Sequence, residues 1–284
     1  MLLRPLAPAL SAAALLFAAP APAAAASPPD LRLYTLDCGQ IVEFDADGYA
    51  DDGAYKGVSK TLVVPCFLIR HPKGDLLWET GLPQSIADLP GGKNAFGMSV
   101  ARKLTDQLKD LGLTPAEIEY LSVSHSHYDH IGNGGLFAAH STWIVDADER
   151  AYAFRPAARA DKAEFEPYAA LETARTVQIE GDAPYDVFGD GSVTILQAPG
   201  HTPGHTVLLV RLPQTGPVLL TGDLWHIAES QPARRVPRFN TNRAQTLASM
   251  EKVEALARET HARLVREHVP EDIAALPRFP QPLR

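Results

Sequence analysis

Four short apolar segments of this chain each run into a histidine or an aspartate. The segments EYLSVS, VTILQA, PVLLTG and ARLVRE have the composition of buried strands. The polar residues that follow them are His125, His201 within PGHTPGH, Asp223 and His268. Because strand ends are rigid supports for the loops that carry chemistry, this pattern predicts that four strands deliver polar side chains to one edge of a folded core.

The remaining pattern predicts sheets with helices outside them. Further strands are predicted at 31–36, 61–70, 75–80, 142–146 and 205–212, and the Pro-Lys-Gly turn at 72–74 makes the second and third of these a hairpin. Helical periodicity is seen at 99–112, 146–154 and 241–260, and in PEDIAALP near the end. This order favours the α/β (α+β) class, with sheets packed face to face. No linker or fixed-period repeat interrupts it, so a single domain is predicted for residues 27–284.

The segment SVSHSHYDHIGNGG contains His125, His127, Asp129 and His130 within six positions. Two histidines two apart on extended chain point the same way, and the next two residues follow as the chain turns. A His-x-His pair alone is common in polar loops. Four such residues, joined to three strand-end ligands, instead predict a metal site, since zinc accepts imidazole nitrogen and carboxylate oxygen.

The combination of HSHYDH, PGHTPGH, TGD and a late strand-end histidine resembles the metallo-β-lactamase superfamily. Within it, IRHPKGDLLWETGL, SHSHYDHIGNGG, APGHTPGHTVLLV and EHVPEDIAALP resemble the N-acyl homoserine lactonase group. The resemblance implies a four-layer αββα sandwich of two mixed sheets with helices outside. It also implies two Zn²⁺ ions, or other divalent transition metals, with His125, His127 and His201 on the first, Asp129, His130 and His268 on the second, and Asp223 bridging both.

The implied activity is hydrolysis of an ester ring, most naturally in an N-acyl homoserine lactone, as in quorum quenching. True β-lactamases of this fold lack an aspartate at the position of Asp223, so the residues favour a dinuclear hydrolase. Asp129 would bind metal and pass a proton to the leaving oxygen. Two alternatives stay open: a broader hydrolase of esters, organophosphates or thioesters, and a non-catalytic metal-binding protein.

Two residues depart from the pattern of the lactonase group. His226 stands where these enzymes often have a tyrosine, and we predict that it donates a hydrogen bond to the lactone carbonyl, as a catalytic residue. Glu79 stands where an aspartate is usual, and we predict that it accepts a hydrogen bond from a ligand imidazole. His205 is predicted to support the site rather than to bind metal.

Several other residues allow two interpretations. Trp225 and Phe239 could line an acyl pocket or simply pack, and the basic loop 232–240 could lie over the site or be solvated. Cys38 and Cys66 could form a disulfide or remain buried thiols. His71, in a turn, is expected at the surface.

Residues 1–26 have the charged start, apolar stretch and small-residue end of a secretory signal peptide, with Ser27 as the first mature residue. Prolines interrupt the apolar stretch, which argues against a membrane-spanning helix there. No integral membrane segment is expected after removal of the signal peptide, and a periplasmic or secreted location is predicted. The net charge of −8 argues against nucleic acid as a partner and suits a small-molecule ester or lactone substrate. The oligomeric state is left open.

Overall fold

The computed structural model describes residues 30–284, so the predicted signal peptide lies outside the described residues. The strands are β1 (Arg32–Glu43), β2 (Lys60–His71), β3 (Gly74–Trp78), β4 (Met98–Ser99), β5 (Tyr120–Ser122), β6 (Thr142–Asp146), β7 (Thr176–Ile179), β8 (Tyr185–Asp186), β9 (Val193–Gln197), β10 (Thr206–Leu212), β11 (Gly216–Leu220) and β12 (Arg263–Val265). The α-helices are α1 (Leu104–Asp110), α2 (Tyr128–Ile131), α3 (Ala147–Ala153), α4 (Pro156–Ala160), α5 (Lys162–Phe165), α6 (Ser230–Ala233), α7 (Arg243–Thr260) and α8 (Pro270–Ala274).

These strands form two mixed sheets. The first has the order β4-β1-β2-β3-β5-β6-β7, and the second has the order β12-β11-β10-β9-β8. In the first sheet β1, β2 and β3 pair antiparallel, whereas β3, β5, β6 and β7 run parallel. The predicted hairpin is confirmed, with His71 paired to Gly74 across the turn.

Side chains that alternate along the strands build three apolar layers. Leu208 and Leu220 of the second sheet meet Phe67 and Trp78 of the first in a buried layer between the sheets. On the outer face of the second sheet, Leu209 and Leu219 pack with Met250 and Val253 of α7. On the outer face of the first sheet, Leu68 and Leu77 share a cluster with Leu104 and Leu108 of α1. The predicted four-layer αββα sandwich is therefore confirmed.

The differences from the predicted elements are local. Strand β1 continues past residue 36 to Glu43 through an irregularity between Asp37 and Gln40, where Gly39 has a φ of 135°. The predicted helix at 99–112 is shorter, because Met98–Ser99 pairs with β1 as the edge strand β4. Strand β7 and helices α4 and α5 were missed, since each is short and half exposed and so shows little apolar periodicity.

Two side-chain interpretations are settled by packing. Cys38 and Cys66 form a disulfide that joins β1 to β2, with a Cα–Cα distance of 5.7 Å. The expectation that His71 lies at the surface is wrong: its ring stacks on Phe188 at 4.0 Å and is buried. The Asp190 carboxylate, 2.9 Å from His71 Nε2, offsets the cost of burying that imidazole.

Within residues 30–284, no helix combines the length and the apolar character needed to cross a membrane.

Candidate metal centre

The seven predicted ligands lie together at one edge of the sandwich. Strands of both sheets deliver them: β5 leads into the loop with His125 and His127, and helix α2 presents Asp129 and His130. Strands β9, β11 and β12 of the second sheet lead to the others, which are His201, Asp223 and His268. The expectation that separate strands converge on one edge is confirmed, while the ligand roles stay predictions.

The first group contains three imidazoles and one carboxylate. His125 Nε2 lies 2.9 Å from His127 Nδ1, and His201 Nε2 lies 3.0 Å from the same atom. Asp223 Oδ2 lies 3.4 Å from His125 Nε2 and 3.2 Å from His201 Nε2. Four donor atoms therefore face one point, and three of the four side chains are buried.

The second group is built from the other side of the same carboxylate. His130 Nε2 and His268 Nε2 lie 3.1 Å apart, and they lie 3.1 Å and 2.9 Å from Asp223 Oδ1. Asp129 Oδ2 completes the group at 3.4 Å from His268 Nε2 and 3.8 Å from His130 Nε2. Asp223 thus turns one oxygen to each group, which is the geometry of a bridging carboxylate.

These residues fit a pair of transition-metal ions. Tetrahedral ligands at ordinary zinc distances lie about 3.3 Å from one another, and the donor atoms above are spaced in that range. Imidazole nitrogens and carboxylate oxygens are also the donor types that zinc and similar ions accept. Asp223 Oδ1 is buried and faces the ring nitrogens of His130 and His268 at 3.1 Å and 2.9 Å without a hydrogen bond of suitable geometry, and a cation among these atoms would satisfy all three.

The electrostatics of the cluster favour positive charge. Burial opposes ionisation of Asp223, but the surrounding imidazoles, His226 foremost, hold its pKa well below the ordinary value. Burial also opposes the charged form of His268 and so lowers its pKa. The nearby Asp223 more than offsets this effect and brings the pKa to about 9. For His125 and His127 burial prevails, so the pKa of each lies well below its usual range. The carboxylates therefore create a field that attracts a cation.

A supporting layer holds the cluster from behind. His205 Nδ1 donates to the Ala198 carbonyl at 3.1 Å, and its Nε2 accepts the Asp223 backbone N–H at 3.0 Å. Burial lowers the pKa of His205 to about 3, so the ring is neutral and can act as this acceptor. His205 touches the backbone of Asp223 and belongs to neither group of donors, as predicted.

Glu79 supports the second group. Its Oε1 accepts the Ser124 N–H at 2.9 Å, and its Oε2 lies 3.3 Å from His130 Nδ1. The longer carboxylate thus lies beside a ligand imidazole, but Oε2 does not accept the predicted hydrogen bond. The backbone of Glu79 has a φ of 64°, in the left-handed region that residues other than glycine rarely use.

Sequence reasoning missed Glu149, which links the two loops of the first group. Its Oε1 accepts the backbone N–H of Ser126 at 2.7 Å and the Ser126 hydroxyl at 2.6 Å. Its Oε2 accepts the Thr202 hydroxyl at 2.5 Å and the Gly204 N–H at 3.3 Å. The side chain lies in DADER at the start of α3, where an acidic residue is ordinary, so no local signal distinguished it.

A cavity of 260 Å³ opens beside the cluster. Its floor contains metal-type ligands and His226, and its walls combine apolar groups with two carboxylates. The floor residues are His127, Asp129, Asp223, His226 and His268, and the wall residues are Ile41, Glu43, Tyr49, Met98, Tyr128, Glu164 and Phe239.

His226 lies in this cavity, buried, with Nε2 2.9 Å from Asp223 Oδ2. Burial lowers its pKa, against the opposing effect of Asp223. Tyr49, from the short 3-10 helix Ala46–Tyr49, lies beside it with ring centroids 5.2 Å apart. Sequence reasoning did not single out Tyr49, which places a phenol next to the predicted catalytic imidazole.

The open interpretations near the site are now decided. Phe239 lines the cavity, whereas Trp225 is buried in the cluster with α7 and packs as core. The basic loop 232–240 lies beside the site, and its Arg235 and Arg238 pair with Asp52 and Asp47. These guanidinium groups are therefore engaged with the segment that follows β1.

Comparison with known proteins identifies the family. The profile of the Metallo-beta-lactamase superfamily matches residues 60–261. The N-acyl homoserine lactonase AttM of Azorhizobium caulinodans is 34% identical over 251 residues, which cover 85% of this chain and 94% of that relative. The protein of the same name from Agrobacterium fabrum is 33% identical over 264 residues, covering 89% of this chain and 98% of the relative.

A solved structure gives the same result for the fold. An N-acyl homoserine lactone hydrolase with the product N-hexanoyl-L-homoserine bound at its catalytic metal centre superposes with a TM-score of 0.74. It is 26% identical, and the match covers 89% of this chain and 98% of that chain. The chain therefore belongs to the metallo-β-lactamase superfamily, in the group that includes the N-acyl homoserine lactonases.

Proposed function

We propose that this protein is a dinuclear metal hydrolase that opens the ester ring of N-acyl homoserine lactones. The observation that carries the proposal is Asp223, which turns one oxygen to each of two histidine-rich groups on the floor of a partly apolar cavity. The full-length similarity to proteins named N-acyl homoserine lactonase supports this substrate class.

The two groups would hold two divalent ions, most simply zinc. The proposed ligands of the first ion are His125, His127 and His201, those of the second are Asp129, His130 and His268, and Asp223 contacts both. Ions of this kind polarise an ester carbonyl and lower the pKa of bound water from ~16 to about 7.

The residues of the chain then divide the remaining work. Hydrolysis adds water across the ester C–O bond: the hydroxyl joins the acyl carbon, and the leaving oxygen takes up a proton. Asp129, whose side chain is 17% exposed beside the cavity, is placed to carry that proton to the leaving oxygen. His226 on the floor and Tyr49 on the adjacent wall lie side by side, where they can orient the carbonyl group.

The cavity offers apolar side chains that an apolar tail of the substrate can contact. Ile41, Met98 and Phe239 line the cavity, and Phe239 is 48% exposed. Two further exposed aromatic residues, Phe44 and Phe96, flank this wall along the chain. Exposed aromatic surface next to a polar floor is typical of sites for ligands with one apolar and one polar end.

Metal content and turnover test the proposal together. The purified protein is assayed for bound metals, and then with a short-chain and a long-chain acyl-homoserine lactone, an aryl ester, a phosphotriester and a glutathione thioester. We expect two metals per chain and lactones hydrolysed fastest, with activity lost on chelation and restored by zinc.

Other outcomes separate the alternatives. Two metals with another ester far ahead would reject the lactone and keep the hydrolase. Metal without turnover of any substrate above that of the chelated protein would indicate a binding protein. A full metal complement and full activity in Asp223→Ala would refute the bridging role.

We also propose that the protein is exported, with residues 1–26 removed before Ser27. The Cys38–Cys66 disulfide supports an oxidising compartment, since such bonds are rare in reducing cytosol. Fractionation of the source cells, with mass spectrometry of the N-terminus, tests this. Full-length protein confined to the cytosol would contradict it.

A further inference from the structure

Two carboxylates, those of Glu43 and Glu164, line the cavity together with the metal-type ligands. Glu43 and Glu164 line it from opposite parts of the chain, one at the end of β1 and the other in the short helix α5. Among the described residues that line this cavity there is no lysine or arginine. A substrate bound in this cavity therefore lies near two carboxylates as well as the metal-type ligands.

Glu43 has a basic neighbour that turns away from it. In the β1–β2 pair Glu43 lies opposite Lys60, but Lys60 Nζ binds Glu229 Oε1 at 2.8 Å and lies over the Tyr55 ring. Glu43 Oε1 instead accepts the Tyr49 hydroxyl at 3.1 Å. This hydrogen bond holds the carboxylate at the cavity wall but leaves its charge in place.

Glu164 is exposed and forms no salt bridge within residues 30–284. Burial raises the pKa of this carboxyl, and Asp161 and Asp129 raise it further, while Arg155 acts in the opposite direction. Glu164 therefore adds a carboxylate to this side of the cavity.

Three arginines on either side of Phe239 are already in ion pairs. Arg238 Nη1 lies 2.8 Å from Asp47 Oδ2, Arg235 Nε lies 2.9 Å from Asp52 Oδ2, and Arg243 pairs with Asp51. These ion pairs tie the segments on either side of Phe239 to the segment after β1. The basic loop that could have attracted an acidic substrate is thereby neutralised.

We propose that Glu43 and Glu164 select uncharged esters over anionic ones and hasten the departure of the carboxylate product. This inference rests on the proposed function and narrows its substrate class. An acyl-homoserine lactone carries no charge, whereas its ring-opened product carries a carboxylate. Carboxylates that line the cavity reduce the attraction of the proposed metal ions for an anion, which disfavours its entry and favours its exit, and fields in clefts of this kind change encounter rates by about 10-fold or more.

The charge effect is measured as the ratio of kcat/KM for two substrates. Phenyl hexanoate and 4-carboxyphenyl hexanoate present the same acyl group, and only the second is an anion. We expect the ratio of kcat/KM for the anionic to the neutral ester to rise about tenfold in the metal-loaded Glu43→Gln/Glu164→Gln variant. Comparing ratios removes the intrinsic difference between the leaving groups, and glutamine still accepts the Tyr49 hydrogen bond.

Matched variants control for net charge and folding. Glu180→Gln/Glu259→Gln removes two exposed carboxylates elsewhere, and its ratio should equal that of the wild type. If the first double variant does not fold, exposed Glu164→Gln alone should raise the ratio about threefold, and Glu164→Lys should raise it further. Added salt should reduce the difference in this ratio between wild type and the double variant, because screening weakens the contribution of the two carboxylates.

A binding assay distinguishes failure of this inference from failure of the proposed function. Hexanoyl-glycine, an anion, and hexanoyl-glycinamide, which is neutral, are titrated into metal-loaded wild type and variant without turnover. The anion should gain affinity in the Glu43→Gln/Glu164→Gln variant relative to the amide. Unchanged ratios in both assays would overturn the charge inference, whereas changed binding ratios without hydrolysis of any ester would keep it and reject the hydrolase.

Discussion

Glu149 Oε1 accepts hydrogen bonds from both the backbone N–H of Ser126, at 2.7 Å, and the Ser126 hydroxyl, at 2.6 Å. Ser126 lies between His125 and His127, and the other oxygen of Glu149 accepts the hydroxyl of Thr202, next to His201. One buried carboxylate therefore fixes the two loops that supply the imidazoles of the first group. None of its hydrogen bonds reaches the residues of the second group.

We predict that Glu149→Gln weakens the first metal site selectively. The amide replaces one acceptor oxygen with a donor facing N–H and O–H groups, which separates the loops. The affinity for zinc at the proposed first site should fall about 10-fold to 100-fold, as for other lost supports of metal ligands. Competition with a chelator, together with metal counts per chain, measures this. Equal loss at both sites, or the same loss in the exposed control Glu259→Gln, would contradict the assignment.

His226→Phe should lower kcat/KM for a lactone about tenfold while the metal content is retained, because a somewhat larger aromatic ring takes the place of the imidazole but has no hydrogen-bond donor. Tyr49→Phe, which removes only the hydroxyl beside it, gives the matched comparison. A larger loss in Tyr49→Phe would move the orienting role from His226 to Tyr49. Unchanged turnover in both variants would show that neither side chain contributes to the reaction.

Asp146→Asn should stabilise the fold at neutral pH. Burial raises the pKa of Asp146 to about 6, although its Oδ1 accepts the N–H groups of Asp148 and Glu149. Because this pKa exceeds the ordinary 3.8, the folded state keeps a proton that the unfolded chain has released, and stability falls as the pH rises through this window. Asparagine can cap α3 equally well and does not titrate.

Chemical denaturation with chelator present measures the effect without a contribution from metal release. Between about pH 4 and about pH 7.5, the free energy of unfolding of Asp146→Asn relative to wild type should rise by about 1 kcal/mol, allowing for solvent screening. A difference that does not depend on pH would contradict the burial of an ionised Asp146.

Removal of the disulfide by Cys38→Ser/Cys66→Ser should lower the free energy of unfolding. The bond closes a loop with a sequence separation of 28. The chain-entropy account gives a loss of about 3.6 kcal/mol for a loop of this size. Thermal melting of the variant, and of wild type with and without reductant, measures the loss. If reductant also lowers the stability of the variant, the effect of reductant does not arise from this bond.

The sequence by itself determined the family, the sandwich and the set of residues that meet at its edge. His125 and His127 are two apart on extended chain, and His201, Asp223 and His268 each follow a strand, so local spacing was enough to predict their convergence. It did not decide between a disulfide and two thiols, because that depends on the distance between strands that only packing sets.

Tertiary structure alone decided what surrounds the ligands. Glu149 contacts Ser126 and Thr202 across 23 and 53 positions, and such contacts leave no periodic trace in the sequence. Glu43 and Glu164 come from separate elements and share one cavity only because β1 and α5 are packed around it. A local pattern fixes the direction of a side chain, whereas its charge environment depends on which distant residues the fold places beside it.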